Sequence, residues 1–205
     1  DVLPIGACHH QKVVVIDDAL AFSGGLDITV RRWDTSDHAL DNGARLDPHG
    51  EGYRPFHDIQ MMVDGEAARA LGALVRYRWQ RAACETPPET AAAGDPWPEG
   101  FEPDFTDTAV GIARTYPQYD GQREVREVER LFFRSIEAAE RSIYIENQFL
   151  TTESICGKLI ERLQQKPDLE VLIVAPNVHQ SWLEERAMNT GRRRFMERLK
   201  EAGVD

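Results

Sequence analysis

The stretch His9-His10-Gln11-Lys12-Val13-Val14-Val15-Ile16-Asp17 sets an imidazole and an ammonium two residues apart at the head of an apolar run. Val13 to Ile16 are consecutive β-branched residues and predict a buried strand. Side chains alternate between the faces of a strand, so His10, Lys12 and Val14 point one way and Gln11 and Val13 the other. An imidazole beside a fixed ammonium suits attack on a phosphate ester. The ammonium neutralises the non-bridging oxygens, and a neutral ring nitrogen serves as nucleophile or general acid.

The neighbouring elements must hold that pair. Residues 7 to 17 predict a first strand and 20 to 23 a second, joined by a tight hairpin at Asp17-Asp18-Ala19. Asp17 is then at the turn, facing away from His10, where a carboxylate accepts from loop backbone or pairs with a base. Gly24-Gly25 lets the backbone approach closely or take positive φ where the second strand ends. Asp27 follows, placed to cap a short helix from Ile28 to Arg32 and to reach back towards the pair.

The whole string reads His-x-Lys-x4-Asp-x6-Gly-Gly-x-Asp, and it resembles the first of the two His-Lys-Asp motifs of the phospholipase D superfamily. Two further stretches carry the resemblance. Arg54-Pro55-Phe56-His57-Asp58-Ile59-Gln60 is similar to the family's aromatic-His-Asp strand, and Ile143-Tyr144-Ile145-Glu146-Asn147-Gln148-Phe149 to its Ile-Tyr-Ile-Glu-Asn-Gln-Phe segment. Arg31-Arg32-Trp33-Asp34-Thr35 with Ser36-Asp37-His38 resembles the Arg-Trp-Asp-Thr-x-x-His run of eukaryotic-like phospholipases D.

The resemblance implies catalytic roles for His10, Lys12 and Asp17, and substrate contacts from Lys12, Gly24, Gly25, Asp27 and Asn147. A catalytic His also needs a carboxylate that fixes its tautomer and steadies the imidazolium. In related enzymes an acid on the strand after the glycine segment fills that role, which points to Asp58, with Asp34 as competitor. No cofactor or metal is required by that scheme. His38 and His49 lack a second His, Cys or carboxylate at a ligand spacing and read as loop residues.

The 205 residues, 41% hydrophobic, suffice for one large domain or two small ones. A formal net charge of -11 is the wrong sign for holding nucleic acid through its phosphates, so a small phosphodiester or a lipid head group is favoured. Peripheral contact with a membrane is compatible with such a substrate. Cys8, Cys84 and Cys156 are widely spaced and odd in number, which reads as core thiols in a reducing, cytoplasmic or membrane-peripheral setting. No run approaches the length of a membrane helix, and no leader precedes the motif. The chain opens without Met, just ahead of a core strand, which reads as a piece of a longer protein.

Further along, His57 to Val63 predicts a strand, and Glu66 to Ala83 a packing helix with Ala70, Leu71, Leu74, Val75 and Trp79 at helical spacing. Residues 86 to 121 are Pro-rich and aperiodic, a linker or a lid. Gln122 to Arg141 predicts a helix, Ile143 to Asn147 a strand, Ser154 to Gln165 a helix, Leu169 to Ala175 a strand and Ser181 to Ala202 a helix. Arg192-Arg193-Arg194 reads as a solvated helix face.

Strand, helix, strand, helix in this order predicts an α/β fold, a mixed, largely parallel sheet flanked by helices, incomplete at both ends. Residues 1–85 then form the half that carries the motif, and 122–205 begin a second half. In the family two similar halves each supply one motif to a shared site, and no second His-x-Lys occurs in this chain. The resemblance thus implies part of a phosphodiesterase that hydrolyses or transfers a phosphatidyl group through a phosphohistidine. The missing half, or a second copy of the chain, would complete the site. A cardiolipin synthase-like phosphatidyl transferase and a non-catalytic interaction module of the same fold are the alternatives.

Overall fold

The computed structural model describes residues 9–90, 95–176 and 182–203, with side chains in the last segment described from 190 onward. They fall into two compact units that meet in the sequence at Ile112 and Ala113. Cys8, the start of the expected first strand and the Ala91-Ala92-Ala93-Gly94 tract lie outside the described residues.

In the first unit β1 (Lys12–Ile16), β2 (Leu20–Gly24) and β3 (Gln60–Asp64) form an antiparallel sheet in the order β1-β2-β3. Val14 is opposite Phe22, and Phe22 opposite Met62. Asp17 and Asp18 carry φ of 52° and 55° at the β1–β2 turn, which Ala19 N–H closes on Ile16 O at 3.0 Å. Two central residues with positive φ match the turn to the strand twist. Helix α1 (Gly65–Ala83) covers one face, burying Ala68 and Leu71 against Ala21, Val13, Val15 and Val63.

The alternation of strand side chains therefore sends Val13 and Val15 under α1 and leaves Lys12 and Val14 on the other face. The helix does not present the stripe its periodicity suggested. Ala68, Leu71 and Gly72 are buried, whereas Val75 is 38% and Trp79 53% exposed. The small residues win because the sheet lies close. Residues 28–32 form bends and a turn rather than a helix. Ile28, Thr29 and Val30 are weak helix formers, and Arg31 at φ 62° breaks the path.

In the second unit a hairpin of β4 (Thr115–Tyr116) and β5 (Val125–Arg126) precedes α2 (Glu127–Ala138). Val125 thus belongs to a strand, and the helix expected from Gln122 begins five residues later. Strand β6 (Ser142–Glu146), helix α3 (Glu153–Gln165) and strand β7 (Glu170–Val174) make a parallel crossover, with Tyr144 opposite Leu172. Helix α4 (Trp182–Glu201) follows. Ile136, Leu150, Cys156, Leu159, Phe195 and Leu199 form the core, with Ile143, Ile145 and Ile173 packed on it.

The architecture is mixed α/β, but its strands do not join into one largely parallel sheet among the described residues. Parallel pairing is confined to β6 and β7, which a helix connects, while the three-residue link between β1 and β2 can only turn the chain back on itself. Two cysteine and arginine expectations are also corrected. Cys156 is a buried core thiol, but Cys84 is exposed at the left-handed C-cap of α1. Arg193 and Arg194 are exposed as expected, whereas Arg192 is half-buried and its guanidinium donates to Pro176 O at 2.8 Å.

Candidate active site

Lys12 is the first residue of β1, and His10 lies two residues ahead of it, just before the strand begins. The Lys12 Nζ is 2.8 Å from His10 Nε2 and 3.2 Å from the His10 carbonyl oxygen. An ammonium has donors only, so Nε2 accepts and the proton of the neutral ring sits on Nδ1. The Lys12 side chain is 12% exposed, and its Nζ is also 3.3 Å from Asp27 Oδ1. A hydrogen bond from Lys12 holds the Asp27 carboxyl below the usual carboxylate range, and the charges of Lys12 and Arg32 act in the same direction.

The glycine pair explains how Asp27 gets there. A Cβ on Gly24 would lie 2.3 Å from Ile59 O, and one on Gly25 would lie 2.1 Å from Asp58 Oδ1. Neither glycine has positive φ. Close approach of the residues leading into β3, not backbone freedom, is what excludes a side chain at both positions. Gly25 N–H donates to Ile59 O at 3.1 Å and extends the β2–β3 pairing by one step.

Asp58 thus packs on Gly25, two residues ahead of Asp27, and its Oδ1 accepts from Ile59 N–H at 2.8 Å. Asp34 is engaged elsewhere. It accepts from Arg45, whose side chain is 2% exposed, at 3.0 and 3.2 Å, and from Thr35 N–H at 2.8 Å. Asp17 stands at the far end of β1, roughly 17 Å along the strand from Lys12 at about 3.3 Å per residue. It belongs to the turn and not to the His10–Lys12 group.

Asn147 lies in the second unit, directly after β6. Its backbone N–H donates to Val174 O at 3.1 Å, and its Oδ1 accepts from Phe149 N–H at 2.6 Å. His38 and His49 are exposed loop residues. A hollow of about 370 Å³ in the first unit is lined by Leu40, Asn42, Arg45, Tyr53 and Arg54 among others, and includes neither His10 nor Lys12.

No protein-family model matches the chain. Curated proteins do. Phospholipase D1 of Schizosaccharomyces pombe is 25% identical over 85% of this chain and 16% of its own length. Phospholipase D1 of Saccharomyces cerevisiae is 30% identical over 72% of this chain and 11% of its own. Phospholipase D A of Dictyostelium discoideum is 27% identical over 85% of this chain and 16% of its own. The chain belongs to the phospholipase D superfamily.

This superfamily chain spans between about a ninth and a sixth of the length of those relatives. Its structure adds residues that the motif reading passed over. Arg32 lies between Phe56 and Asp27, its guanidinium carbon 4.0 Å from the Phe56 ring centroid and its NH2 3.6 Å from Asp27 Oδ2. Arg32 and Phe56 lie in stretches quoted for their family resemblance, yet nothing in their spacing shows that one folds onto the other. Asp18 is the second omission. It is buried under α1, accepts from Arg76 NH1 at 2.6 Å through both oxygens, and accepts from Thr90 N–H at 3.1 Å. An Asp-Asp pair at a hairpin was the signal available, and it did not say which Asp turns inward.

Proposed function

We propose that this chain supplies one half of a phospholipase D-type phosphodiesterase site, acting on a phosphatidyl ester or a similar small phosphodiester. The observation that carries the reading is the Lys12–His10 pair, with Nζ 2.8 Å from Nε2 and the same ammonium held by Asp27. It supports a division of labour. A phosphate that draws the ammonium to its non-bridging oxygens uncovers the Nε2 lone pair in the act of binding.

In this reading His10 Nε2 forms a bond to phosphorus as the bond from phosphorus to the leaving alcohol oxygen breaks. A second imidazole, from the rest of the site, gives its proton to that oxygen. The second imidazole then takes a proton from water or an acceptor alcohol as it attacks phosphorus, and the bond from phosphorus to Nε2 breaks. The two histidines exchange roles if the substrate binds the other way round. Because Nε2 is the attacking atom, the Nδ1 proton requires an acceptor, and Asp58 is proposed for it. Asn147, Gly24 and Gly25 are proposed as substrate contacts.

The test is to trap the intermediate in the full-length protein that contains this chain. Reaction with a phosphatidyl substrate labelled in its phosphate, quenched in detergent at alkaline pH, should leave base-stable, acid-labile label on a histidine. His10→Ala should abolish it or move it wholly to the other histidine. Labelling and turnover that persist unchanged in His10→Ala would sink the proposal.

A further inference from the structure

Beside the pair lies a guanidinium that none of these steps uses. Arg32 is seated on Phe56 at 4.0 Å, and its side chain is 19% exposed. Its Nε is buried without a hydrogen-bond partner. Among the described residues its one hydrogen bond is a 3.4 Å contact from NH1 to Arg31 O. The neighbouring arginines are bonded to carboxylates through their terminal nitrogens, although Arg45 Nε is likewise without a partner. Arg31 reaches Asp47 at 2.7 Å and Glu51 at 2.8 Å, and Arg45 reaches Asp34 at 3.0 Å and Ala39 O at 2.7 Å.

A guanidinium has five donors, and a part-buried one that leaves them nearly idle is held by something other than hydrogen bonds. Here that is the ring face of Phe56. The stack fixes NH2 3.6 Å from Asp27 Oδ2, just outside hydrogen-bond range, while Lys12 takes Oδ1 at 3.3 Å. Asp27 therefore stands between two cations. One of them, Lys12, must turn to the phosphate for the proposed chemistry to begin. Asp27 would then be left as an uncompensated carboxylate beside an arriving anion and would pull Lys12 back.

We propose that Arg32 is a positioning residue: seated on Phe56, it takes over the Asp27 carboxylate as Lys12 moves to the phosphoryl oxygens. This inference rests on the phosphodiester reading of the site. A guanidinium suits the task because it stays charged and its plane is fixed by the ring, so the handover needs a shift of less than about 1 Å. The effect on phosphate is indirect, through Asp27.

The experiment is a double-mutant cycle on this chain, read as inorganic phosphate affinity from the His10 ring resonances. Arg32→Met should weaken binding about tenfold, and Arg32→Lys should recover part of that loss because charge returns without the stacked plane. In an Asp27→Asn background, Arg32→Met should change affinity by no more than about twofold. Phe56→Leu leaves every charge in place and should weaken binding in the same direction, with thermal melts checking that each variant is folded. If phosphate shifts the His10 signals but Arg32→Met binds it as wild type does, the inference is overturned while the site reading stands. An equal tenfold loss with and without Asp27 also overturns it, because Arg32 would then contact the anion itself. Failure of phosphate to perturb His10 at all overturns the site reading and the inference with it.

Discussion

At the scale of residues, the pairing of His10 with Lys12 followed from alternation along one strand, and the 2.8 Å contact gives that pairing a chemical direction. Lys12 both masks Nε2 and fixes the tautomer. Replacing it by Met should therefore remove phosphate affinity, since the ammonium that meets the non-bridging oxygens is gone. Adding inorganic phosphate while following the His10 ring resonances by NMR checks this, with wild-type affinity in the variant as the contrary result. Asp58→Asn, in the full-length protein, should lower turnover on the order of a hundredfold. That is less than the roughly ten-thousand-fold loss when a serine-protease triad loses its carboxylate, because Lys12 still stabilises the transferring group. Turnover near that of the unmodified enzyme would reject Asp58 as the acceptor for Nδ1. The residues legible in the sequence were those whose relation is local: His10 with Lys12, and the glycines whose lack of side chains admits Ile59 and Asp58. Arg32 on Phe56 was not legible, because a stacked contact across a loop leaves no period to read.

At the scale of elements, the same contrast separates what the pattern foretold from what it missed. β2, α1, β6, α3 and β7 are where apolar alternation or helical spacing put them, within a few residues, whereas β1 begins only at Lys12, five residues later than expected. The β4–β5 hairpin has only two residues in each strand, too short to show alternation, so Val125 was drawn into the helical period of α2. Asp18 shows what a pattern cannot carry, since its partners Arg76 and Thr90 are 58 and 72 positions away. It ties the β1–β2 turn to α1 and to the Pro-rich stretch after it. Arg76→Met should cost roughly 3–5 kcal/mol in urea unfolding, because it strands a buried carboxylate. Gly72→Ala should cost roughly 1–3 kcal/mol, because a Cβ there would lie 1.8 Å from Asp18 Oδ1. The Arg76 hydrogen bond holds the Asp18 carboxyl below its usual range, against the opposing effect of burial. Its stabilisation is thus complete above the unfolded-state carboxylate pKa and is lost as pH falls through the lower folded value. Asp18→Asn should flatten that acid limb of the stability profile, and an acid limb identical to wild type would show that another carboxylate controls it.

At the scale of the whole molecule, the chain carries one His-x-Lys, and the proposed reaction needs two imidazoles. A single ring cannot form the bond to phosphorus through Nε2 and, in the same step, deliver a proton to the departing oxygen on the opposite side of the phosphorus. Lys12 is no substitute for the absent acid, since its ammonium is already shared between His10 and Asp27 and is required on the phosphoryl oxygens. The chain alone should therefore bind phosphate weakly and release little or no alcohol from a phosphatidyl ester. Two copies that bring their His10 rings together would escape this limit, and they differ from a complete single-chain site in their kinetics. Turnover by paired copies rises with the square of protein concentration where pairing is weak and collapses on dilution, whereas turnover by a self-sufficient site stays proportional to protein. The measurement is alcohol release over a hundredfold dilution series, with His10→Ala as the blank. Release that remains proportional to protein at high dilution and vanishes in the blank would mean that a group within these 205 residues supplies the second proton transfer, and the half-site proposal would fall.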